Sequence, residues 1–207
     1  MRKIAGYAAL ALMAGAGGLA AQDTPMGFFV TSQNPGDGAN FGGLAGADAH
    51  CTALAEAAGT TGRTWAAYLS TSEEDARDRI GAGPWTNAAG VVIAEDLATL
   101  HDENNISKQT ALDETGAVVN GRGDSPNRHD ILTGSLADGT AAPETCEDWT
   151  AGGSEGAAMV GHHDRMGLDD TPPSKSWNSS HASRGGCSLK ALRGTGGDGL
   201  IYCFATD

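Results

Sequence analysis

The chain has little of the chemistry that announces a function. Aromatic residues make up 5% of its 207 positions, and 13 basic residues face 26 acidic ones. So few Lys and Arg in an acidic chain exclude an electrostatic grip on nucleic acid or on an anionic membrane, and they disfavour heparin binding. No two cysteines stand at the C-x-x-C spacing that zinc sites favour. No G-x-S-x-G elbow marks a hydrolase nucleophile, and no EF-hand spacing marks a calcium loop. Beyond the amino terminus no stretch is apolar enough to span a bilayer, which takes about 20 apolar residues. Scarce aromatics also leave few rings for a sugar-stacking platform.

What is present begins with a leader. Arg2 and Lys3 precede an apolar run from Ile4 to Ala14, and small residues from Gly17 to Ala21 close it. That is the layout of a secretory signal peptide, residues 1–21, cleaved after Ala20 or Ala21. The core of the run is short and Gly-rich for a membrane anchor, and no cysteine stands where a lipid would be attached. Residues 22–207 are then one domain, secreted or held in the periplasm or cell envelope. Losing Arg2 and Lys3 takes the formal net charge from -13 to about -15. Cys51, Cys146, Cys187 and Cys203 are an even set in an exported chain, which predicts two disulfides. Four cysteines allow three pairings, and their spacing does not choose among them.

Patterning predicts short strands at Phe28–Thr31, Trp65–Leu69, Ala117–Val119, Ile131–Thr133, Ala157–Gly161 and Leu200–Ala205. Cys51, Leu54, Ala55 and Ala58 repeat at helical spacing; Asp48 is placed to cap that helix and Gly59 to end it. Overlapping capping boxes at Ser70 and Thr71 predict a second helix running to about Ile80. Trp85 and Val91–Ile93 bracket a turn at Asn87–Gly90. No repeat or domain boundary is visible, and the 31 glycines fit a loop-rich fold.

Several segments carry a resemblance in the order in which they occur. They are Gly43–Cys51, Arg63–Ser70, Ala76–Ile80, Asn127–Gly134, Cys146–Thr150, Ser176–His181 and Tyr202–Phe204. In these the chain resembles the bacterial endostatin-like proteins, best known from leptospiral surface proteins and similar to the endostatin domain of collagens XV and XVIII. The resemblance runs from Phe28 to the carboxyl terminus. It implies an α+β, C-type-lectin-like single domain: a mixed, twisted sheet with few helices, long loops and two disulfides. It also implies nested pairing, Cys51 with Cys203 and Cys146 with Cys187. Its functional implication is binding to extracellular matrix protein or carbohydrate. Two family features are not carried over. The heparin-binding arginine clusters are missing, and no histidine lies between Gln22 and Ala49 to form the amino-terminal zinc site.

The candidate ligand-binding residues are His162, His163, Asp164, Trp177, Asn178 and His181. His and Asp have the donor atoms to hold a metal, and Trp177 has a face that fits a sugar. The competing and better supported reading is that these side chains satisfy backbone groups, with Trp65, Trp149 and Trp177 as core anchors. No cofactor is expected; Asp169-Asp170 and Glu144–Asp148 offer oxygen ligands for calcium. Arg122-Gly123-Asp124-Ser125 spells an integrin-binding tripeptide, read here as a turn with local pairing. The leading expectation is a non-enzymatic binding domain for an extracellular protein or glycan. The alternatives are a periplasmic hydrolase, drawing on Ser179, Ser180, His163, His181 and Asp164 or on a metal near them, and a structural envelope protein.

Overall fold

Strand β8, Gly197–Ala205, organises the molecule, and all nine of its residues are buried. Its side chains alternate between two faces. Leu200, Tyr202 and Phe204 enter one core layer, while Ile201, Cys203 and Ala205 enter the other. The computed structural model describes residues 25–207, so the signal peptide read in residues 1–21 lies outside the described residues. β1 (Phe28–Val30) and β2 (Trp65–Ala67) both pair antiparallel to the carboxyl-terminal half of β8. β5 (Asp130–Leu132) pairs parallel to its amino-terminal half. β6 (Met159–His162) runs antiparallel to β5, and β7 (His181–Ala182) runs antiparallel to β6. The result is a six-stranded, twisted, mixed sheet. A separate hairpin joins β3 (Trp85–Thr86) to β4 (Val92–Ala94) around the predicted Asn87–Gly90 turn.

The two faces are filled differently. On one, helix α1 (Gly43–Ala57) lays Ala47, Cys51, Leu54 and Ala55 against the sheet. Both disulfides lie in this layer. Cys51–Cys203 ties α1 to β8 across 152 residues, and Cys146–Cys187 closes a loop of 41. These are the pairs that the resemblance implies. In the chain-entropy account each is worth roughly 4–5 kcal/mol, against a net domain stability of about 5–15 kcal/mol. The other face is aromatic. Phe28, Tyr68, Trp85, Trp177, Tyr202 and Phe204 pack there with Ile80, Ile93 and Leu100, and the Trp177 and Tyr202 ring centroids are 5.2 Å apart. Trp177 is thus a core anchor, as read, but on the face away from the disulfides.

The helices are few: α2 (Ala76–Arg79), α3 (Leu97–His101), α4 (Cys146–Trp149) and α5 (Leu189–Thr195) are short. This is a single α+β domain. In α4 four consecutive non-glycine residues have positive φ, between 50° and 66°. Left-handed turns of L-residues cost roughly 1–2 kcal/mol per residue. This one is held by the Cys146–Cys187 bridge, by the Thr145 hydroxyl accepting from the Asp148 amide, and by Trp149 Nε1 donating to Ser70 O at 2.7 Å.

Two local expectations are corrected. Asp48 does not cap α1, which begins five residues earlier, at Gly43. Its carboxylate accepts from the Ala67 amide at 2.8 Å and pairs with Arg79 at 2.7 Å, so it ties the helix to β2. The helix predicted from Ser70 starts only at Ala76. The Ser70 hydroxyl is buried between Ser135 Oγ and the Ala76 amide, and Thr71 closes an isolated turn by accepting from the Glu74 amide. Among the described residues no helix is long and apolar enough to cross a membrane.

Candidate functional site

Strand register assembles the site. Asp130 and His162 are direct cross-strand partners on β5 and β6, so their side chains share a face. His181 on β7 faces Val160, two residues before His162, which makes it the diagonal neighbour of His162 on that same face. His129 precedes β5 and stacks its ring on His162, with centroids 4.3 Å apart. The backbone allows this crowding at Gly196, where φ is 143° and a Cβ would sit 2.9 Å from His129 Nε2 and 3.1 Å from Asp130 Oδ2.

Nitrogens converge on one oxygen. From Asp130 Oδ1 the distances are 3.0 Å to His129 Nε2, 3.3 Å to His162 Nε2 and 3.8 Å to His181 Nε2. His162 Nε2 and His181 Nε2 are 3.1 Å apart. Among the described residues His129, Asp130 and His162 form the group whose candidate ligand atoms all lie within 4.8 Å of one another. Asp130 is 2% exposed, and neither of its carboxylate oxygens has a hydrogen-bond partner. Burial opposes its ionisation, but His129 and His162 more than offset that and hold it well below the usual carboxylate range. Burial likewise disfavours the His129 imidazolium, yet the Asp130 and Asp164 carboxylates push it up to about 9.

His129, His162 and His181 line a cleft of about 290 Å³ together with Ser180, Arg122 and Arg184. Both arginines are exposed, and their side chains make neither an ion pair nor a hydrogen bond among the described residues. Most other basic side chains are engaged: Arg63, Arg79, Lys108, Arg128, Lys175 and Arg193 all pair with carboxylates.

The six residues singled out from sequence separate into three groups. His162 and His181 lie in the cluster. Asp164 stands behind it, 3.6 Å from His129 Nδ1, and accepts from the Arg122 and Met166 amides. The other three are structural. His163 lies one residue past the end of β6; it is fully buried, donates from Nε2 to Asn120 O at 3.1 Å, and burial pushes its pKa down. Trp177 is 3% exposed in the aromatic layer, which leaves no ring face for a sugar. Asn178 spends its amide on Tyr68 Oη, Leu136 O and Ala137 O. His129 and Asp130 were missed as site residues. The available signal was their place in the Asn127–Gly134 segment, one residue ahead of a predicted strand.

Other sequence candidates are absorbed locally. Asp169 accepts from Thr171, Asp170 pairs with Lys175, and Asp148 accepts from Ser72, while Glu144 Oε2 is buried without a hydrogen-bond partner. In the Arg122–Ser125 turn, Asp124 accepts from the Gly121 amide and pairs with Lys108 as expected, but Arg122 stays unpaired and faces the cleft. Ser180 Oγ is 3.3 Å from His162 Nδ1, yet that nitrogen already donates to Ser174 O at 2.8 Å and so cannot take a proton from serine. No family model matches the chain, and no curated protein matches it in sequence.

Proposed function

We propose that the chain is an exported, non-enzymatic binding domain of the C-type-lectin-like, endostatin-like kind. It works outside the cytoplasm, in the periplasm, at the envelope or in the medium. Its ligand is a carboxylate-bearing group on an extracellular glycan or protein, held in the cleft between Arg122 and Arg184. The observation that carries this reading is the pair of unengaged guanidinium groups over one concavity, in a chain whose other cations mostly pair with carboxylates. A planar guanidinium takes a carboxylate through two parallel hydrogen bonds. The overall negative charge repels extended polyanions such as heparin at long range, while a single carboxylate is still accommodated. Two disulfides suit an oxidising compartment.

The test is an array of acidic and neutral glycans, with matrix proteins in a second arm, probed with oxidised protein and with the Arg122→Ala/Arg184→Ala double variant. Binding confined to carboxylate-bearing probes, and lost in the double variant at unchanged melting temperature, is expected. Binding that ignores both the carboxylate and the arginines would overturn the reading.

A further inference from the structure

With His162 and His181 both neutral, hydrogen-bond bookkeeping at the cluster does not close. A backbone carbonyl only accepts, so each histidine nitrogen facing one must carry the proton. His162 Nδ1 faces Ser174 O at 2.8 Å, and His181 Nδ1 faces Ala182 O at 3.1 Å. The neutral forms of both rings therefore present bare lone pairs at Nε2. Those two lone pairs point at each other across 3.1 Å. His129 follows the same pattern, with Nδ1 toward the Asp164 carboxylate at 3.6 Å and Nε2 toward Asp130. His129 Nε2, His162 Nε2 and an Asp130 oxygen thus meet within 4.8 Å of one another, with His181 Nε2 next to His162 Nε2, and neither oxygen of the buried carboxylate has a well-formed hydrogen bond. A buried carboxylate without a well-formed hydrogen bond and two opposed lone pairs are each costly. One cation placed among them removes both costs.

We infer that His129, Asp130, His162 and His181 bind a divalent transition-metal ion of the zinc class. Three imidazoles and one carboxylate suit zinc, and calcium prefers oxygen donors throughout. Ligands at about 2.0–2.1 Å from a tetrahedral zinc lie about 3.3 Å from one another; the separations from Asp130 Oδ1 are 3.0, 3.3 and 3.8 Å, His162 and His181 are 3.1 Å apart, and His129, Asp130 and His162 already lie within 4.8 Å of one another. The Ser174 carbonyl accepts from His162 Nδ1 at 2.8 Å, the kind of outer contact that fixes ring orientation at metal sites, and the Asp164 carboxylate stands 3.6 Å from His129 Nδ1. His181 is the cleft-side ligand, its side chain 35% exposed, and marks the path of entry. Four protein ligands fill a tetrahedron, so the ion holds the three cleft-lining histidines in place and adds positive charge to the cleft that Arg122 and Arg184 also line. The metal site stands whether or not the cleft takes a carboxylate, because its test uses the ion alone.

The experiment is titration of chelator-stripped, oxidised protein with Zn²⁺ by calorimetry, and with Co²⁺ by visible absorption. One Zn²⁺ per chain is expected, together with the intense visible bands of tetrahedral Co²⁺, displaced by zinc. Asp130→Asn keeps the shape and should weaken binding by ~100-fold, and Asp164→Asn by ~10-fold. His181→Gln, at the exposed edge, provides a second first-contact variant if Asp130→Asn does not fold. His50→Gln, far along the sequence on α1, should leave binding unchanged. A wild-type protein that takes up no zinc overturns the inference. So does zinc uptake equal in wild type, Asp130→Asn and His181→Gln, which would mark loose binding to surface carboxylates.

Discussion

Asn178 and Asp130 are equally buried, 1% and 2% exposed, and very differently served. The Asn178 amide reaches three oxygens beneath the aromatic layer. Tyr202 beside it donates to Trp177 O, and Tyr68 Oη also reaches His101 Nε2 at 2.7 Å. That region is complete. Asp130 has three imidazole nitrogens within 3.8 Å and no hydrogen bond to either oxygen. Burial alone does not tell the two apart; satisfaction does. A buried polar residue with every partner in place stabilises a core, whereas one surrounded by converging donor atoms and left unpaired is built to receive something.

The contrast breaks or sharpens under substitution. The largest effect comes from the stapled face. Reducing both bridges removes roughly 4–5 kcal/mol apiece and should unfold the domain, read as loss of the near-ultraviolet dichroism of the buried tryptophans. A reduced protein with its native melting temperature would show that the core closes without them. Next, Trp177→Ala should cost about 3–5 kcal/mol in denaturant unfolding, since its ring is core. If binding were lost while stability held, Trp177 would belong to the cleft after all. Zinc at one hundred times its dissociation constant should stabilise the oxidised protein by about 2.7 kcal/mol, seen as a rise in melting temperature that Asp130→Asn abolishes. Asn178→Ala should cost about 1–3 kcal/mol by removing the donor that Tyr68 Oη, Leu136 O and Ala137 O share. That loss should be the same with and without zinc, because the completed region has no part in the ion.

Sequence and structure agree where short-range pattern decides. The final strand at Leu200–Ala205, the turn at Asn87–Gly90 and the apolar stripe through Cys51 and Leu54 each follow from local pattern, and each forms as read. Patterning fails where a side chain serves a distant partner. Asp48 reads as a cap because its neighbours are helical, but Arg79 and the Ala67 amide claim it. Ser70 reads as the start of a helix, but Ser135 claims its hydroxyl from 65 residues away. The site divides in the same way. His162 and His181 are legible as polar residues at a predicted strand end. Their convergence with Asp130 needs the β5–β6 register, and His129 needs the close approach that Gly196 permits. His163 lies one residue past the end of β6, and its exclusion needs the distant Asn120 carbonyl that claims its ring.

The most direct test is a crystal of oxidised, zinc-loaded protein measured on either side of the zinc absorption edge. One anomalous peak is predicted about 2.0–2.1 Å from Asp130 Oδ1 and the Nε2 atoms of His129, His162 and His181. A featureless map at that point, with Asp130 hydrogen-bonded to a protonated imidazole instead, would contradict the account.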